Sequence, residues 1–97
     1  MIAHGQNLSI QLTVYNPLKQ SSPLFNKSFS SWAALFVCLE NDFSVYLSHN
    51  IKERLTSNHS IGKLTFLTHA WLPAISERGE GKRLRRCKFV IEVIESK

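Results

Sequence analysis

The segment from Cys87 to Ile94 restricts the possible folds of this chain more than any other stretch. It is rich in β-branched and aromatic side chains, which pack well on the pleated surface of a sheet. A helix fits poorly, because the run is β-branched and lacks a capping residue at either end. Successive side chains of a strand point to opposite faces. One face is then apolar (Cys87, Phe89, Ile91, Val93) and the other mixed (Lys88, Val90, Glu92, Ile94).

A second strand is predicted near the start of the chain. Apolar residues alternate there with polar ones and with a tyrosine, which is the period of a half-buried strand. The apolar set is Leu8, Ile10, Leu12 and Val14. Asn16-Pro17 ends this strand, since proline has no N–H for the ladder. Residues 16–30, rich in Ser, Pro and Asn, are predicted to form a loop.

Residues 32–39 are apolar throughout and fit either a buried strand or a buried helix capped by Ser30 or Ser31. The alternation over residues 43–48 and the turn-forming residues before it favour a hairpin. After it, Asn50 is a suitable N-cap for a short helix at residues 51–55. A strand is predicted from Ile61 to Thr68, and then a loop to residue 86.

This order of elements is that of a mostly β fold, a small five-stranded OB-like barrel with one short helix between strands 3 and 4. In such barrels the loops after strands 1 and 4 bind oligonucleotides or oligosaccharides. Here those loops are residues 16–30 and 70–86. If residues 32–39 are helical instead, the alternative is an α+β fold with a helix on a small antiparallel sheet.

Length and composition predict one domain over residues 1–97, since 97 residues with 43% hydrophobic content are ordinary for a single globular unit. The start of the chain lacks the features of a signal peptide, and the longest apolar run is too short to span a membrane. We therefore expect a cytoplasmic protein without a membrane partner. Cys38 and Cys87, the only cysteines, are expected to be buried free thiols.

The most informative chemical feature is a basic cluster. Between Gly81 and Phe89 the chain has five positive residues and no negative one, within a net charge of +5. Such residues attract phosphates, and arginine can grip them with two donors. A solvated charged loop gives the same pattern. The predicted nucleic-acid-binding residues are Lys82, Arg83, Arg85, Arg86 and Lys88, with Trp71 and Tyr46 as stacking rings and Lys27 from the other loop.

No catalytic, metal or cofactor site is predicted. The histidines lack the short ligand spacing of a zinc site, and neither cysteine has the exposed setting of a nucleophile. We expect a non-enzymatic module that binds single-stranded nucleic acid with weak sequence preference. The alternative is a protein-interaction module, or a small subunit that docks on a larger protein through an apolar strand.

Overall fold

The computed structural model of the chain describes residues 7–19, 21–57, 62–72 and 83–96. These residues form four strands and two helices. They are β1 (Asn7–Tyr15), β2 (Phe25–Phe29), α1 (Trp32–Asp42), α2 (His49–Ser57), β3 (Gly62–Leu72) and β4 (Arg83–Ser96). No helix in this part of the chain is both long and apolar enough to cross a membrane.

The four strands form one antiparallel sheet in the order β2-β1-β4-β3. The sheet is therefore two hairpins, β1–β2 and β3–β4, joined by the pairing of the first and last strands. That central pairing runs from Asn7 opposite Ser96 to Tyr15 opposite Lys88. The helices come between β2 at one edge and β3 at the other.

Strands β1 and β4 confirm the alternation in the sequence. Ile10, Leu12 and Val14 are buried on the same side of the sheet as the four apolar residues of β4. Both helices pack on this side and contribute to one apolar core. The helical contribution is Leu35, Cys38, Leu39 and Leu55.

The hairpin predicted for residues 32–48 is wrong. Ser31 begins helix α1 instead, and its Oγ accepts a hydrogen bond from the Ala34 N–H at 3.2 Å. The buried side chains of the helix then recur at the three- and four-residue spacing of one helical face. After the helix, Ser44 adopts the left-handed conformation, with φ of 56°, which ends helices.

Residues 43–48 alternate as predicted but do not form a strand. Phe43, Val45 and Leu47 point into the core, while Tyr46 points out. The Phe43 carbonyl accepts a hydrogen bond from the Trp71 N–H at 3.1 Å, which ties this segment to the edge of β3.

The predicted loop at residues 16–30 contains the missed strand β2. It begins after a tight turn in which the Lys19 N–H donates to the Asn16 carbonyl at 3.0 Å. On its inner face β2 places Phe25 and Phe29 against the core. Its other positions are polar, as is common on an edge strand, and this composition resembles that of a loop.

Helix α2 (His49–Ser57) is longer than predicted and begins two residues earlier. Ser48 rather than Asn50 caps it, because the Ser48 Oγ accepts from the Ile51 N–H at 3.3 Å. Leu55 is buried and Ile51 is half-buried against the core, as expected from their shared face.

The mostly β prediction is confirmed, and the five-stranded barrel is wrong. The described residues form an open four-stranded sheet, because the segment needed as the second barrel strand is the helix α1. The architecture agrees with the alternative, in which helices lie on a small antiparallel sheet.

Candidate nucleic-acid interface

One face of the sheet is exposed within the described part of the chain, because both helices pack on the other face. We call it the open face. Its apolar side chains are conspicuous: Leu67 and Leu84 are each 52% exposed and Trp71 is 43% exposed. The open face is formed by every second residue of each strand, from Lys63 to Trp71 on β3 and from Leu84 to Ile94 on β4.

Strand pairing gathers rings and cations at one end of the open face. Lys88 lies between Tyr15 on β1 and Leu67 on β3, Arg86 lies opposite His69, and Leu84 lies opposite Trp71. These residues occupy three consecutive rows, each separated from the next by two residues along a strand. We call this set the basic aromatic patch: Tyr15, Leu67, His69, Trp71, Leu84, Arg86 and Lys88.

Lys88 contacts an aromatic ring within the patch. Its Nζ lies 4.9 Å from the centroid of the Tyr15 ring, a cation–π distance. Both side chains are half-buried, and Lys88 has a paired neighbour on either side, Tyr15 on β1 and Leu67 on β3. The ammonium group is therefore restrained relative to the sheet by its contact with the ring.

The charge of the open face is predominantly positive. Its described cations are Lys63, Arg86 and Lys88, and its one described carboxylate is Glu92, opposite Lys63. Glu92 lies four residues from Lys88 along β4, which is about 13 Å at strand geometry. The patch itself thus combines two cations and two large rings without a carboxylate among its members.

The structure brings three of the predicted site residues together: Trp71, Arg86 and Lys88. Arg83–Arg86 belong to β4 and not to a loop, so that alternation sends Arg85 and Arg86 to opposite faces. Arg85 lies opposite Ala70, on the helical side of the sheet. Arg83 pairs through its backbone with Leu72, and its side chain lies outside the described structure, as does the whole of Lys82.

Two further predicted residues lie away from the patch. Lys27 is on the inner side of the edge strand β2, where its Nζ is 5.4 Å from the centroid of the Phe29 ring. Tyr46 is 88% exposed, as predicted, but it belongs to the segment between the helices. Neither residue shares a strand with the patch.

Sequence reasoning missed Tyr15 and His69 as parts of this surface. The alternation of β1 already placed Tyr15 on the outward side, and His69 has the same parity as Trp71. What the sequence lacks is the pairing of β1 with β4, a long-range contact that brings Tyr15 beside Lys88.

The cysteines are buried and free, as predicted. Burial, followed by a hydrogen bond to the Asp42 carboxylate, raises the pKa of the Cys38 thiol to about 11. Burial also raises the pKa of Cys87, against the opposing charge of Arg85. Both thiols are thus protonated at neutral pH, a state that disfavours nucleophilic or metal-binding roles.

The described residues include no group of three or more His, Cys, Asp or Glu side chains placed to hold a metal ion. No protein-family model, curated protein or solved structure matches the chain.

Proposed function

We propose that this chain is a small non-enzymatic module that binds single-stranded nucleic acid on its basic aromatic patch, with weak sequence preference. The observation that carries the proposal is the presence of Trp71, Arg86 and Lys88 on one exposed sheet face, at an end without a described carboxylate. Two cations beside an exposed ring match the two recurring parts of single-strand sites, phosphate attraction and base stacking.

Weak sequence preference follows from the same chemistry. Phosphate contacts carry no sequence information, and an aromatic ring stacks on any base. We also propose that the protein works in the cytoplasm. Two free buried thiols suit a reducing compartment.

The test is a titration of labelled oligothymidylate and oligouridylate, followed by fluorescence anisotropy at about 50 and 200 mM salt. We expect micromolar affinity at low salt. Trp71→Ala should cost roughly 1–3 kcal/mol of binding free energy, the range measured for single stacking contacts.

A charge-matched pair of variants separates the patch from general electrostatics. Arg86→Gln with Lys88→Gln should reduce the magnitude of the salt slope by about 1.4, because each phosphate contact contributes about 0.7 for single strands. Lys19→Gln with Lys52→Gln removes the same charge elsewhere and should leave that slope unchanged. No binding at low salt, or equal losses in the two pairs, would contradict the proposal.

Exposed leucines beside Trp71 favour a second candidate function, a protein-interaction module. Leu67 and Leu84 are each 52% exposed, and apolar surface next to an aromatic and an arginine is typical of protein contact sites. Failure of every oligonucleotide to bind at low salt would make this function the better explanation of the patch.

A further inference from the structure

The spacing of the two cations along β4 defines more than a general attraction for phosphate. Lys88 and Arg86 are two residues apart on the same face of one strand, so their Cα atoms are separated by about 6.7 Å. That distance is close to the separation of consecutive phosphates in an extended polynucleotide. Lys88 is paired with β1 and β3 and Arg86 is paired with β3, and this backbone pairing holds the spacing fixed.

The exposed ring continues the same series. Leu84 follows Arg86 on the open face of β4, and Trp71 lies directly opposite Leu84 on β3. The ring is therefore one step beyond Arg86 and one strand to the side, a lateral displacement of about 4.8 Å. A nucleotide backbone lying over β4 would direct a base sideways onto this ring.

Resting on the proposed function, we propose that the patch binds a single strand in one register. Consecutive phosphates lie at Lys88 and at Arg86, and the base of the next nucleotide stacks on Trp71. Tyr15 acts as a positioning residue, because its ring lies 4.9 Å from the Lys88 ammonium group and holds it where the first phosphate binds.

This register predicts a preference for unpaired strands. In a duplex the faces of the bases are covered by their neighbours in the stack, so Trp71 has no base to contact. Affinity for single strands should then exceed affinity for duplex of the same length, and Trp71→Ala should bring the two affinities together.

The experiment uses a pentanucleotide that is abasic except for one thymine, so that stacking on Trp71 fixes the register. Each phosphodiester is replaced in turn by an uncharged methylphosphonate, and affinity is measured by anisotropy at several salt concentrations. We expect two adjacent linkages on one side of the thymine to be sensitive, each reducing the magnitude of the salt slope by about 0.7.

Variants identify which residue contacts which linkage. In Arg86→Gln the linkage nearer the thymine should lose its sensitivity, and in Lys88→Gln the farther one should. Tyr15→Leu should weaken binding in the wild-type background but have no further effect in Lys88→Gln, while Tyr15→Phe keeps the ring and retains affinity. Val37→Ala, a control at an exposed apolar side chain on helix α1, should bind as wild type.

Equal sensitivity of all linkages, or a Tyr15→Leu loss that persists in Lys88→Gln, would overturn the proposed register while leaving single-strand binding intact. Absence of binding by unmodified oligonucleotides, which retain every phosphodiester and every base, would instead overturn the proposed function itself, and the register with it. The two failures are thus distinguished by the unmodified ligand.

Discussion

Replacement of Phe89 by alanine should be strongly destabilising. Phe89 is fully buried at the centre of β4, with its ring stacked on Phe66 at 5.3 Å and edge-on to Phe43 at 5.6 Å. Removing a buried phenylalanine costs about 3–5 kcal/mol, because the apolar contacts are lost and a cavity remains. That is a large part of the roughly 5–15 kcal/mol expected for a domain.

The informative comparison is with Leu84→Ala, on the same strand but on the open face. Leu84 is half-exposed, so we expect a change within about 0.5 kcal/mol. Urea unfolding followed by circular dichroism should show a midpoint lower by roughly 1–5 M for Phe89→Ala, since the slope in urea is about 1–3 kcal/mol/M for small proteins. Phe89→Leu, a milder change in the same direction, serves if the alanine variant does not fold.

Equal destabilisation by Phe89→Ala and Leu84→Ala would refute this reasoning. It would mean that the face of β4 carrying Leu84 is buried as deeply as the core face. The exposed surface on which the proposed binding site depends would then not exist.

Three other measurements test the helical layer and the core beneath it. Ser31→Ala should lower the free energy of unfolding by about 1 kcal/mol, since it leaves the Ala34 N–H without its cap; denaturant titration measures this. A thiol-reactive disulfide should label Cys38 and Cys87 only on unfolding. Because the pKa of Cys38 rises from 9.0 to about 11 on folding, its contribution to stability is complete below pH 9 and is lost as the pH rises towards 11. Unfolding measured across that range should show a smaller decline in Cys38→Ala than in wild type.

The strands that were predicted well are those whose two faces differ chemically. In β1 and β4 fully buried residues alternate with partly exposed ones, so the residue types also alternate and the strand period is visible in the sequence. Edge strand β2 has only Phe25 and Phe29 to mark its inner face, and its remaining residues resemble a loop. This five-residue strand forms because it pairs with β1, and the residue pattern of β2 alone does not indicate that pairing.

Residues 32–39 were mispredicted for a different reason. Every residue in the run is apolar, so neither period stands out, and a buried helix and a buried strand look alike. Yet Ser31, followed by Trp32 and then two alanines, is a good helix start, and the helix extends through polar residues to Asp42. The turn-forming residues 40–42 are the last turn of that helix. Because this segment was predicted as a hairpin, the predicted fold was a barrel and not a sheet covered by helices.

The candidate site lies on a strand and not, as was predicted, in a loop. This changes both the residues that form the site and the conformational entropy that binding would cost. A loop site would have to order long basic side chains and their backbone on binding, at a cost in conformational entropy. Arg86 and Lys88 instead belong to a strand: Lys88 is paired with both β1 and β3, and Arg86 is paired with β3, so their backbone is ordered before any ligand arrives. Alternation along the same strand places Phe89 in the core and Lys88 on the open face. The residues that fix the strand and those that would contact a ligand are thus different residues on one element. Substitutions on the open face should therefore change binding with little loss of folding stability, because they leave the core residues of β4 in place.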